Sequence, residues 1–476
     1  MKTNTKSIPP AIVAVLAVFS LFLGCSKEDP LDVDLSKSPI DAPAKTDLDN
    51  WIKTTLTDPY NIELVYRFDR NLTYPDRNIS PVELERVVPT AEALLHTYLK
   101  VYEKVAGPTF IKTYTPKQFV LYGSPAYNSN GSITLGTAEG GRRVVLYEIN
   151  EIDFDNAAQV RRKMRTIHHE FTHIVNQNIA IPPAFEQVTK ADYFSDWTNS
   201  ANSTSVARSL GFVSRYARSE FKEDFAEMVA HLIVEGQIWF DSYAFAAGED
   251  GRSKLKNKEA QVVEYYKQYY GIDFRELQQA FGRAVWNRYR DPRFSLGAWL
   301  QGLDDVGMSI KIDPTGFYSQ KYPSSAPFDA LYQTLADNLA AWGSNPGRKL
   351  ESIDFRFRKN NELDLVVQYW NTAGTSRLDA NFSYTYTINN DGELTFARVA
   401  QRGTTSAYNN AALMDDPNRA NPLPFLPLQN FLTSTVFMLE EWADNDVDAV
   451  DFMKIGKFYA KGDPANYVYG PIAWIN

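Results

Sequence analysis

The sequence predicts an α+β domain followed by a separate, mostly β domain, and three features of its patterning carry that prediction. Short apolar runs broken by Gly-containing turns come first, between residues 118 and 149. Segments of helical period then dominate from residue 156 to residue 289, and strands followed by helices, rather than strict alternation, indicate α+β. Beyond Asn345-Pro346-Gly347 the apolar period switches to two, as in half-buried strands. The 476 residues are 44% hydrophobic and 22% charged, so each domain can bury a sizeable core. Against 49 Lys+Arg stand 58 Asp+Glu, and the resulting net charge of -9 excludes a generic nucleic-acid binder, which needs a basic surface.

The elements follow in chain order. Lys2 and Lys6 precede an apolar run from Ala11 to Leu23, too short to cross a hydrocarbon core of roughly 30 Å as a stable helix. Residues 1–24 read as a signal peptide. Cys25 is the single cysteine, placed after Gly24 at the end of the apolar run, and this arrangement resembles a bacterial lipoprotein signal. Cleavage before Cys25 and acylation of its thiol and new amine would anchor the chain in a membrane. With Cys25 consumed no disulfide can form, so cores or a metal must hold the exported protein. Ser26-Lys27-Glu28-Asp29 resembles the tags that send some Gram-negative lipoproteins to the outer face of the outer membrane, and residues 25–46 read as a polar tether.

The first globular domain is expected over residues 47–310. It has an extended segment at 62–68, a helix near 90–105, and short strands at 118–122, 132–135 and 144–149 around the Asn130-Gly131 and Gly140-Gly141 turns. Helices are expected at 156–176, 219–235, 259–270 and 274–289, then a loop-rich zone at 291–327. Residues 311–476 form the second domain, which opens with a helix at 328–342. Ile353, Phe355 and Phe357 then alternate, as do Phe382, Tyr384, Tyr386 and Ile388 before Asn390-Asp391-Gly392, a tight-turn signal whose Asp-Gly supplies positive φ angles. Trp370, Tyr384 and Tyr386 read as the packed face of a sheet rather than a sugar-stacking platform.

The chemistry concentrates at Ile167-His168-His169-Glu170-Phe171-Thr172-His173, which contains H-E-x-x-H. On a helix the i, i+4 spacing puts His169 and His173 on one face, one turn apart, where both imidazoles can close on one Zn²⁺. Glu170 sits beside them, placed to take a proton from water. Val160, Met164, Ile167, Phe171 and Ile174 form an apolar stripe roughly half a turn away, so one face packs and the other meets a cleft. His168 points about 100° from His169 and is read as a non-ligand, while His96 and His231 read as packed or surface histidines.

A catalytic zinc needs a third protein ligand and an open position. Glu223-Asp224-Phe225-Ala226-Glu227, on the next long helix, offers candidates. Glu223 and Glu227 share the face opposite the stripe Phe221, Phe225, Met228 and Leu232, and the small Ala226 and Ala230 permit close helix approach. Glu223 is the expected ligand and Glu227 the expected partner of an imidazole N–H; a solvated acidic face is the competing reading. Tyr216, seven residues before Glu223, is a candidate donor to a developing oxyanion, against the plainer reading of a loop tyrosine.

This combination resembles the glutamate-liganded zincin peptidases, the gluzincins, and most of all the arrangement in the catalytic domain of anthrax toxin lethal factor. With Pro59-Tyr60-Asn61-Ile62 and Leu135-Gly136-Thr137-Ala138-Glu139-Gly140-Gly141, residues 45–310 are similar to the substrate import-associated zinc metallohydrolase lipoproteins. The resemblance implies a zincin-like metallopeptidase domain with His169, His173 and Glu223 as zinc ligands, Glu170 as general base, Tyr216 as oxyanion donor and Glu227 behind the ligands. It further implies an outer-membrane, cell-surface enzyme that cuts polypeptide or glycopeptide substrates beside a nutrient importer. The alternative expectation is a surface binding component with a structural or vestigial zinc site.

Overall fold

The computed structural model describes residues 44–344, 346–419 and 423–476. The expected signal peptide, Cys25 and most of the expected tether lie outside the described residues. The chain divides into two compact units, residues 1–50 and residues 51–476, and the described strands all lie in the second. Among the described residues no helix is long and apolar enough to cross a membrane.

After helical segments that end at Tyr60, the chain forms a four-stranded sheet of order β1-β2-β6-β5, made by β1 (Glu63–Val65), β2 (Gln118–Leu121), β5 (Gly136–Glu139) and β6 (Arg143–Leu146), with helical residues 84–114 between β1 and β2. β1, β2 and β6 run parallel, and β5 runs antiparallel to β6 at the edge. A small hairpin of β3 (Ala126–Tyr127) and β4 (Ile133–Thr134) stands apart from that sheet. Phe119, Val120, Val144 and Val145 are buried, so the strands carry apolar side chains on both faces. β5 was not expected from the sequence, because Gly136-Thr137-Ala138-Glu139 offers no apolar alternation. Gly136 has another role here: a Cβ at this position would stand 2.6 Å from the Thr166 methyl, so its absence lets the strand lie against the next helix.

That helix, Ala157–Asn178, starts at Asn156, whose side chain accepts the N–H groups of Ala158 and Gln159. Its predicted stripe of Val160, Met164, Ile167, Phe171 and Ile174 is buried throughout. Phe221–Val234 packs against it, with Ala226 and Ala230 fully buried. A helix not expected from the sequence follows at Gly236–Phe245, and the one after it starts at Gly248 rather than at residue 259, since Gly248 to Lys258 is mostly charged and carries little apolar periodicity. Phe274–Tyr289 has the expected bounds.

The remaining sheet is a closed antiparallel barrel, in the order β10-β11-β12-β13-β14-β7-β8-β9. Its strands are β7 (Gly307–Ile312), β8 (Lys349–Arg358), β9 (Glu362–Trp370), β10 (Arg377–Ile388), β11 (Glu393–Arg398), β12 (Phe437–Leu439), β13 (Ile455–Ala460) and β14 (Asp463–Ile475). β7 crosses the boundary expected at residue 310 and lies inside the zone read as loops, although Met308, Ile310 and Ile312 alternate there. Phe355, Phe396, Phe437 and Phe458 pack edge to face in the interior, and Phe357 lies tilted against Phe396. Tyr384 and Tyr386 are buried as the packed-face reading requires, and Tyr386 donates to the Leu300 carbonyl, whereas Trp370, the last residue of β9, is exposed and does not follow that reading. The barrel meets the helices directly: Arg283 donates to the Asn445 carbonyl, and Gln279 to that of Val447.

Candidate metal centre

Two helices and the edge strand β5 build the site. His169 and His173 leave the same side of Ala157–Asn178, and their Nε2 atoms are 3.1 Å apart. Glu223, in the first turn of Phe221–Val234, brings Oε2 to 3.0 Å from His169 Nε2 and 3.3 Å from His173 Nε2. These three residues are the group that can hold a metal ion among the described residues. A tetrahedral ion with bonds of about 2.0–2.1 Å requires roughly 3.3 Å between ligand atoms, so two imidazole nitrogens and one carboxylate oxygen at these separations fit a zinc-type centre with little movement.

The surrounding groups fix these side chains. Glu227 sets Oε1 at 2.9 Å from His169 Nδ1, while its Oε2 accepts from the Ser214 hydroxyl at 2.5 Å. Burial disfavours a charged His169, but the hydrogen bonds to Glu223 and Glu227 outweigh it and hold the imidazole pKa up at about 10 in the metal-free site. Burial opposes ionisation of Glu223 too, yet its hydrogen bonds to both histidines bring its carboxyl down to about 2. A proton therefore occupies His169 at neutral pH until a cation displaces it, because a metal-ligating imidazole must be neutral. Zinc titrated into metal-free protein at pH 7 is expected to release about one proton, read as the buffer dependence of the calorimetric heat; a heat independent of buffer would contradict this protonation.

Glu170 faces the cleft from between the two histidines. Burial raises its pKa, the two imidazoles pull it back, and the Ala138 N–H of β5 donates to its carboxylate. Tyr216 stands in a single helical turn, Tyr216–Arg218, with its ring 6.0 Å from that of His169 and edge-on to Trp197 at 5.1 Å. Burial and the Glu223 carboxylate hold its phenol well above the usual range, so it stays a donor at neutral pH.

The structure thus brings His169, Glu170, His173, Tyr216, Glu223 and Glu227 together. Asp224 is turned away into the core, where Lys258 and Tyr193 donate to it. His168 is buried with Nδ1 3.4 Å from the Tyr102 hydroxyl and Nε2 3.3 Å from the Thr97 carbonyl, and burial lowers its pKa to about 4. His231 packs on Trp239. Sequence reasoning did not find Ser214, Ala138, Arg165 or Trp197. Arg165 alone carried a local signal, since it precedes His169 by one turn.

The cleft over the site has two lobes that meet at His169, Glu170 and Tyr216, of about 450 Å³ and about 710 Å³. Thr134 and Gly136 border both, and the larger also includes Ala138, Asn176 and Phe221.

Residues 41–275 match the family described as "Putative zinc-binding metallo-peptidase". The chain is also similar to a crystal structure described as a "putative zinc-binding metallo-peptidase" from Bacteroides caccae ATCC 43185. Identity is 30%, the match covers 50% of this chain and 90% of that one, and the TM-score is 0.44. No curated protein matches.

Proposed function

We propose that this chain, whose residues 41–275 match a zinc-binding metallo-peptidase family, hydrolyses amide bonds of polypeptides or glycopeptides as a zinc-dependent endopeptidase. The observation that carries this reading is the convergence of three ligand atoms within 3.3 Å of one another beside a carboxylate that ligates nothing and opens on a cleft. A purely structural metal has no use for Glu170.

His169, His173 and Glu223 would hold Zn²⁺. When bound, zinc supplies a Lewis acid for the scissile carbonyl and lowers the pKa of water. Glu170 takes a proton from the attacking water and returns it to the departing amine. The Tyr216 hydroxyl donates to the oxygen that gains charge. Glu227 holds His169 through Nδ1, which leaves Nε2 turned toward Glu223 and His173, where it would help hold the metal. Glu223→Ala is expected to lose zinc through dialysis that leaves wild type loaded, as measured by plasma mass spectrometry. Full occupancy would move the third ligand to Glu227, since Asp224 is committed to Lys258.

Acylation at Cys25 would tether the enzyme to the outer membrane on the cell surface, where it would trim substrates for a nutrient importer. Cys25→Ala is expected to move the protein from the membrane pellet to the soluble fraction; a variant that still sediments with outer membrane would contradict the anchor. Cleavage itself is tested by mass-spectrometric mapping of peptide and glycopeptide libraries with the zinc-loaded chain starting after Cys25. Cuts that zinc removal abolishes are expected, and intact libraries would count against the peptidase reading.

A further inference from the structure

The smaller lobe of the cleft contains a cation whose charge its own neighbours do not cancel. Arg165 lines this lobe from the same face of the helix as His169. Its side chain is 32% exposed, and Nη1 lies 3.0 Å from Glu235 Oε1. Glu235 is shared, however: Arg161 Nε lies 3.2 Å and Arg293 Nε 3.5 Å from its other oxygen. The further anion in the cluster is Asp291, which is buried against Arg161. Three guanidiniums therefore divide two carboxylates, which leaves about one positive charge over, and Arg165 is the member of the three that reaches the wall of the cleft.

The two acidic residues of the lobe do not consume that charge. Glu227 is engaged by His169 and Ser214. Glu170 faces the reacting position and accepts from Ala138. The rest of the wall is neutral, with Asn128 and Thr134 on one side and Trp197 on the other. A guanidinium in a partly desolvated wall pairs best with a carboxylate, which can take two parallel N–H donors.

On the peptidase reading above, we propose that Arg165 makes this lobe a subsite for a carboxylate carried by the peptide, either an acidic side chain or a free C-terminus. The pairing selects among peptides whose backbones otherwise fit the same cleft.

The test uses the zinc-loaded protein carrying Glu170→Gln, so that peptides are bound and not cut. It is immobilised and offered alanine-based hexapeptide pools that differ at one group: Glu against Gln at each internal position, and free carboxylate against amide at the C-terminus. Retained peptides are counted by mass spectrometry. Retention of the acidic member is expected to exceed that of its neutral isostere by about tenfold at one position, internal or terminal, which tells the two sources apart. Adding Arg165→Gln is expected to erase the ratio, and Arg165→Lys to keep part of it; Glu235 keeps Arg161 and Arg293 in both, so neither leaves a buried carboxylate alone. Equal retention of acidic and neutral members, or a ratio that survives Arg165→Gln, would overturn the subsite while peptide binding stands. Retention of no peptide in any pool would remove the subsite and the peptidase reading together.

Discussion

Replacing Glu170 by glutamine is expected to lower kcat for peptide hydrolysis about 10²- to 10⁴-fold with zinc content unchanged. The amide keeps the size of the carboxylate and can still face the cleft, and neither histidine nor Glu223 depends on Glu170 for its position. What disappears is the capacity to accept a proton. Glu170 is suited to that task because burial lifts its pKa toward the range where a base works near neutrality, while the Ala138 N–H keeps its carboxylate aimed. Paired measurements of kcat and of bound zinc on wild type and variant decide the matter. Equal turnover in the two would reassign the base, and a parallel loss of zinc would make Glu170 a structural neighbour of the site.

Lys258→Met is expected to destabilise the metal-free protein by about 3–5 kcal/mol, read by urea denaturation. Lys258 and Asp224 are both fully buried, with Nζ 2.6 Å from Oδ2. Lys258 also donates to the Gly211 carbonyl and lies 4.1 Å from the centre of the Phe212 ring. Burial pushes the lysine pKa down and the aspartic acid pKa up, so each group stays charged only through the other. Removing the ammonium leaves a carboxylate in the core with the Tyr193 and Thr189 hydroxyls as its remaining partners. Asp224 adjoins Glu223, so the penalty falls on the turn that carries Glu223. The double replacement Asp224→Asn with Lys258→Met is expected to recover most of the loss, because the pair itself is worth little beyond mutual neutralisation. A Lys258→Met protein as stable as wild type would show that water or rearrangement reaches this carboxylate.

Much of the site was legible because its logic is local. His169 and His173 are one helical turn apart whatever the tertiary fold, and Glu223 and Glu227 repeat that spacing on a helix whose apolar stripe is equally plain. Ser214 and Ala138 were illegible because their relevance arises only when a loop and an edge strand are carried to the helices. The barrel divides in the same way. Its long strands show in the alternation of Phe355 with Phe357 and of Tyr384 with Tyr386, since period two is a property of each strand alone. Closure is a relation between strands remote in sequence, and nothing near Met308 announces that Trp474 will lie opposite it. β5 escaped notice for a different reason: a strand chosen to pass close to a helix needs small side chains, and small side chains have no periodic signature.

The order in which the barrel's strands occur in the chain sets a kinetic condition. β7 is the earliest of the eight, yet one of its two neighbours is the last, with Ile310 opposite Ile472. Its other neighbour, β8, lies much nearer in sequence, so a partial sheet can assemble early with one flank of β7 bare. Bringing the far partner home closes a loop of about 160 residues, a slow, non-local event whose entropic cost is met only when the whole ladder zips. Until then the exposed flank is a template for any other extended chain nearby. Refolding is therefore expected to be late and concentration-sensitive in this half of the protein, and the thirteen residues Asp463–Ile475 act as the latch that ends that vulnerability.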